Sequence, residues 1–93
     1  MHHPLYLNDP NEGDNYFVIP SARRAKIIDL ITEYDVSAVF TGHLHRNNYK
    51  KIGNTELVST GPVGFPLGED PSGIRHVRVD DNYLTHEYLG LIS

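Results

Sequence analysis

Residues 60–73, TGPVGFPLGEDPSG, form the segment that most constrains what this chain can fold into, because four glycines and three prolines stand in it. Proline lacks a backbone hydrogen-bond donor and glycine costs conformational entropy, so neither a helix nor a strand extends through such a segment. Regular structure is therefore expected on either side. Residues 7–20, LNDPNEGDNYFVIP, predict a second long loop, of a length that in compact domains is usually functional or disordered.

A helix and a buried strand are predicted between these two loops. Apolar residues recur at helical spacing within residues 22–34 and leave charged residues on the other faces. Ser21 is a candidate N-cap. The apolar positions are Ile27, Ile28, Ile31 and Tyr34. Residues 36–41, VSAVFT, are a short apolar run that ends at a glycine, which is typical of a buried strand.

Short strands separated by turns are predicted in the rest of the chain. The strands lie at 49–52, 56–59, 74–79 and 83–88, with turns at 53–55 and 80–82. Hairpins are the expected connections. The order of one main helix, a buried strand and then an antiparallel meander predicts an α/β fold.

Length, composition and charge limit the possible functions. A chain of 93 residues suffices for one domain with a modest core. It has no cysteine, which excludes disulfides and thiolate zinc sites. The net charge of −4 and the scattered basic residues argue against nucleic-acid binding. No apolar run is long enough for a membrane span and no signal-peptide layout is present, so we expect a cytoplasmic protein without membrane contact.

Two histidines follow the buried strand in the sequence Gly42-His43-Leu44-His45. Residues two apart on a strand point to the same side, and in a turn past the strand both imidazoles can converge on a metal. The glycine before them lets the backbone turn sharply. Exposure at a strand end is the alternative interpretation of the pair. Arg46, the next residue, is either an ordinary surface arginine or a donor to a phosphate oxygen.

His2-His3-Pro4 is the second group of histidines, and a remnant of a purification tag or a frayed chain end is its alternative interpretation. A set made of His2, His43 and His45 would offer only nitrogen ligands. Such a set suits zinc, iron or manganese if carboxylates and water complete it. Solvated loops are expected for the nearby acidic residues, Asp9, Glu12, Asp14, Glu69 and Asp70.

Two further histidines, His76 and His86, lie within predicted strands of the meander. We interpret both as surface or strand-pairing residues rather than as metal ligands. His86 is expected to face away from Leu84.

The order of these motifs resembles the C-terminal half of the calcineurin-like metallophosphoesterases. The resemblance rests on His2-x-Pro4, the helix, and Val39-Phe40-Thr41-Gly42-His43-x-His45. The continuation through GHLHRNN and STGPVGFPLGEDPSGIRHVRV is similar to a subgroup of that family found in animals and bacteria. It covers essentially all of the chain, and residues 1–93 are interpreted as a single partial domain.

The resemblance implies part of a β-sandwich flanked by helices, with a dinuclear centre of manganese, iron or zinc at its edge. His2 and His43 would bind one metal and His45 the other, with Arg46 and Asn47 as candidates for substrate contact. The implied substrate is a phosphate ester. The two metals would activate a bridging water for attack on phosphorus.

Other motifs of that family are missing from this chain. Neither the Asp-x-His motif nor the Gly-Asn-His-Asp/Glu motif occurs, since Gly53-Asn54 runs into Thr55. We therefore expect the chain to supply no complete catalytic set and to be inactive alone, with its partner either a second copy in a homodimer or an N-terminal half. One alternative is a truncated, non-catalytic module that dimerises and binds a metal or an anion. Another is a β-rich domain whose histidines bind nothing.

Overall fold

A computed structural model describes residues 1–81 and 83–91, and it has one helix and five strands. These elements are α1 (Ser21–Glu33), β1 (Ala38–Thr41), β2 (Asn48–Ile52), β3 (Thr55–Ser59), β4 (Gly73–Val79) and β5 (Leu84–Gly90). The mixed α/β class is confirmed, and each element lies close to its expected position. Asn82, in the predicted turn at 80–82, lies outside the described residues.

The strands form two sheets. In the first sheet β3 is central, pairs parallel with β1 and pairs antiparallel with β2. The second sheet is the antiparallel hairpin of β4 and β5. The expected meander is thus two hairpins in separate sheets. Because β1 occupies the free edge of β3, that edge is closed to β4, and residues 60–73 carry the chain across to the second sheet.

The core lies between α1, the first sheet and the segment that follows His2 and His3. Its buried members are Leu5, Tyr6, Ile31 and Leu57. Partly buried apolar side chains pack against them, namely Ile19, Ile27, Ile28, Val36, Val39 and Ile52. Tyr34 was expected on the same face but is 72% exposed, because it caps the end of the helix and the chain turns away at Asp35, whose φ is 50°.

The loop at 7–20 is ordered around a buried arginine of the helix. Arg24 is only 1% exposed, and its guanidinium donates to three backbone carbonyls of the loop. The acceptors are Pro10, Glu12 and Ile19, at 3.1, 2.7 and 3.0 Å. Carbonyl groups shielded from water need donors, and here one buried side chain donates to three carbonyls of the loop.

The carboxylate of Glu12 closes the other side of this loop. It accepts the backbone N–H groups of Asn8 at 2.8 Å and Asp9 at 2.9 Å, and that of Leu7. Partial desolvation acts to raise the pKa of Glu12, but these hydrogen bonds and the nearby Arg24 outweigh it and hold the pKa below its ordinary value. The loop carboxylate is therefore a structural group.

The N-terminus of α1 is capped from the loop. Pro20 occupies the N-cap position and has no side-chain cap, so Ser21, the expected cap, is the first helical residue. The carboxylate of Asp14 accepts the Ser21 backbone N–H at 2.7 Å. An anion at this end also interacts favourably with the helix dipole.

Candidate metal centre

The first residues of the chain are tied to the end of β1. The Met1 amino group donates to the Phe40 carbonyl at 3.0 Å, and the Gly42 N–H donates to the His2 carbonyl at 2.8 Å. The residues that follow, Pro4, Leu5 and Tyr6, are buried. His2 and His3 are thus held in place on both sides, so this segment is not a frayed chain end.

The ring of His43 is held in one tautomer by the loop at 7–20. Its Nε2 lies 3.1 Å from the carbonyl oxygen of Tyr16, which can only accept a hydrogen bond, so Nε2 carries the proton. Its Nδ1 therefore presents a lone pair. That nitrogen lies 3.1 Å from Nε2 of His2. Two of the expected metal ligands accordingly meet nitrogen to nitrogen.

His3 joins this pair. Its ring centroid lies 3.9 Å from that of His43, with the planes inclined by 33°. One nitrogen from each of His2, His3 and His43 lies within 4.8 Å of the other two, and these three residues are named the histidine cluster below. Partial desolvation lowers the pKa of His3, and the adjacent imidazoles lower it further, that of His43 more than that of His2. Within the part of the chain that is described, no carboxylate joins the histidine cluster.

The expected ligand set of His2, His43 and His45 omits His3. The chain bends at His3, and both rings reach His43. No local sequence pattern reveals this arrangement of three histidines. The signal available was only that His3 stands next to His2.

In the turn after β1, both histidines have left-handed backbone angles. His43 and His45 have φ angles of 69° and 57°, values uncommon for residues with side chains. The Leu44 N–H donates to the Gly42 carbonyl at 2.8 Å, and the Leu44 side chain between them is buried. A Cβ at Gly42 would meet only His2, at 3.9 Å. The sharp backbone angles were expected at Gly42, but inward packing of Leu44 imposes them on its two neighbours.

His45 lies apart from the histidine cluster and is exposed. Its Nδ1 lies 2.8 Å from the carbonyl oxygen of Phe65, so Nδ1 carries the proton and Nε2 presents a lone pair. The loop also donates the Leu67 N–H to the His45 carbonyl at 2.7 Å. A carbonyl that fixes the tautomer of an imidazole is a common partner of metal-binding histidines.

Arg46 and Asn47, the two expected substrate contacts, differ in how many hydrogen bonds their side chains already make. Arg46 is exposed and has no hydrogen-bond partner among the described residues. The amide of Asn47 makes three hydrogen bonds within the chain, since it donates to Asp70 at 3.0 Å and accepts from Gly61 at 2.9 Å and Arg75 at 2.8 Å. Asn47 therefore organises the loop, and Arg46 is the side chain available for an anion.

His86 connects the two sheets. It lies on the same side of β5 as Leu84, not the opposite side, because residues two apart on a strand share a face. Its Nδ1 accepts from Arg75 at 3.0 Å, and its Nε2 donates to the Glu56 carboxylate at 3.1 Å. His76 is exposed, with Glu87 3.9 Å away. The expectation of a pairing role holds for His86.

Comparison with known proteins found no matching family model and no matching solved structure. Curated proteins do match. The chain is 38% identical over 91 residues to the serine/threonine-protein phosphatase CPPED1 of Bos taurus and to that of Danio rerio. It is 36% identical over 92 residues to the Homo sapiens protein. These matches cover 98% of this chain but 29% of each relative, so the chain spans less than a third of their length.

Proposed function

We propose that this chain forms the histidine-bearing part of a metal-dependent phosphoester hydrolase. Over 98% of its length it is similar to serine/threonine phosphatases. This agrees with the resemblance of its motifs to the calcineurin-like metallophosphoesterases. The observation that carries the proposal is the contact between His43 Nδ1 and His2 Nε2 at 3.1 Å. A lone pair held in place by the Tyr16 carbonyl suits a transition metal such as manganese, iron or zinc.

Each residue of the candidate site has a separate role in this proposal. His2 and His43 bind one metal, and His45 offers Nε2 to a second. When bound, the metals polarise the phosphoryl oxygen and lower the pKa of a coordinated water. Arg46 binds a phosphate oxygen through its planar donors, and the Asn47 amide fixes the loop that carries both.

Hydrolysis by this chain alone is not part of the proposal. A dinuclear centre of this kind needs carboxylates, and none joins the histidine cluster within the described residues. The Asp-x-His and Gly-Asn-His-Asp/Glu motifs that would supply the remaining ligands are absent from the sequence. Another segment or another chain must contribute them.

A chimaera tests this function. The aligned part of the Bos taurus phosphatase is replaced by this chain, and the product is assayed on a phosphoserine peptide with Mn²⁺. The folded chimaera is expected to release phosphate, and His43→Asn is expected to abolish release while His76→Asn retains it. Asparagine is chosen because it tolerates the left-handed backbone at position 43.

A chimaera that folds, contains metal and stays inactive beside the active parent would instead favour a non-catalytic module that binds a metal or an anion. Self-association is part of that alternative and of the main proposal. Leu30 and Tyr34, one helical turn apart, are 54% and 72% exposed, and apolar surface of this kind favours association. A monomeric mass in light scattering at high concentration contradicts the dimer.

A further inference from the structure

His3 is the member of the histidine cluster that the proposed function leaves without a role. It is half-buried, although its ring nitrogens form no hydrogen bond with any described residue. Its imidazole lies against that of His43, with centroids 3.9 Å apart, and meets the His2 ring edge to face at 5.0 Å. Both ring nitrogens of His3 are therefore available to a ligand.

The spacing of the histidine cluster is close to that of a metal site. Imidazole nitrogens bind zinc at about 2.0–2.1 Å, which separates neighbouring ligands of a tetrahedral site by about 3.3 Å. His2 and His43 already have nitrogens 3.1 Å apart. The third nitrogen, from His3, lies within 4.8 Å of both, so the three nitrogens are grouped closely enough for one ion to draw them together.

The backbone around His3 is fixed before any metal binds. The Gly42 N–H holds the His2 carbonyl at 2.8 Å on one side, and buried Pro4 follows on the other. A following proline also restricts the backbone of His3 itself. The bend at His3 turns its ring to the same side as that of His2. Little conformational entropy is then lost on binding, which favours affinity.

We propose that His3, together with His2 and His43, binds one divalent transition-metal ion within this chain alone, with a fourth position open to water or to a phosphate oxygen. The proposal rests on the proposed function for the roles of His2 and His43 and departs from it by assigning His3. Three neutral imidazoles without a carboxylate favour zinc, cobalt or copper over magnesium or calcium. They also leave the full charge of the ion to attract an anion.

Titration with Co²⁺ tests the site in the 93-residue protein, prepared without a histidine tag and freed of metal. One Co²⁺ per chain is expected, with the visible absorption of a four-coordinate ion. His3→Ala and His3→Gln are expected to weaken binding at least ten-fold. The matched variant His76→Ala is expected to bind as the wild type does, and circular dichroism checks that every variant is folded.

The proposal is overturned if the wild type binds no Co²⁺, or if both His3 variants bind it as tightly as the wild type does. Failure of the proposed function is separate from these outcomes, because hydrolysis is measured in the chimaera. A chimaera that hydrolyses the phosphopeptide while the His3 variants bind Co²⁺ normally would remove only the role of His3.

Discussion

His2 and His43 stand 41 residues apart in the chain, yet Nε2 of the first lies 3.1 Å from Nδ1 of the second. Two separate supports produce this contact. The backbone hydrogen bond from Gly42 to His2 fixes the position of His2, and the Tyr16 carbonyl fixes the tautomer of His43. The site therefore depends on the ordered loop at 7–20 as much as on the histidine motif.

Substitution of Arg24 by methionine is expected to lower the free energy of unfolding by roughly 3 kcal/mol, because three partly buried hydrogen bonds from a charged donor are lost. Methionine keeps most of the apolar stem of the side chain. Arg23→Met is the matched control, since Arg23 is exposed and is expected to change stability by less than about 0.5 kcal/mol. Urea unfolding measures both variants, and equal losses would refute the role assigned to Arg24.

Glu12 is expected to make stability depend on acid pH. Its pKa in the folded chain is below the ordinary value of 4.5, so the folded state favours the ionised form. Its stabilising contribution is complete above pH 4.5 and is lost as the pH falls through the folded pKa. The difference in unfolding free energy between wild type and Glu12→Gln should therefore shrink from pH 7 to pH 3. A difference between wild type and Glu12→Gln that stays constant over this range contradicts the assignment.

The pair of His86 and Glu56 is expected to couple the two sheets. A double-mutant cycle with His86→Ala and Glu56→Gln should give a coupling energy of about 1 kcal/mol, because both side chains are largely shielded from water. The matched cycle is His76 with Glu87, which are exposed and 3.9 Å apart, and should give a value near zero. Equal coupling in the two cycles would mean that burial of the first pair adds nothing.

Gly73 at the start of β4 is expected to tolerate no side chain. A Cβ there would meet the Leu89 carbonyl oxygen and would lie 2.6 Å from the Tyr88 ring carbon Cζ. Gly73→Ala should therefore lower the melting temperature, with an overpacking cost of about 1–3 kcal/mol. At Gly64 no atom lies within 4 Å of an added Cβ, so Gly64→Ala is the control and should have little effect. A Gly73 variant as stable as the control would contradict the packing described.

The helix and strands could be predicted because each follows from a local apolar pattern, as Ile27 and Ile31 show for α1. Sheet membership could not be predicted in this way. Parallel pairing of β1 with β3 depends on which edges are free once the chain has folded. The burial of Arg24 was likewise missed, because its acceptors come from a loop without any periodic pattern.

The same limit applies to the candidate site. The Gly-His-x-His pattern alone left open which imidazole would reach His2, whereas the family resemblance implied that His43 would, with His45 on a second metal. Buried Leu44 separates the two through left-handed backbone angles on either side, a consequence of core packing. His3 joins the histidine cluster because the chain bends there, which no sequence pattern indicates.

The melting temperature with and without Zn²⁺ tests most directly whether the histidines form a metal site. Binding to the folded state alone at 100 times the dissociation constant stabilises by about 2.7 kcal/mol, which for a domain of this size corresponds to roughly 10 °C or more. We expect this rise for the wild type and for His76→Asn, and its loss in His43→Asn. An equal rise in His43→Asn, or no rise in the wild type, would contradict the account.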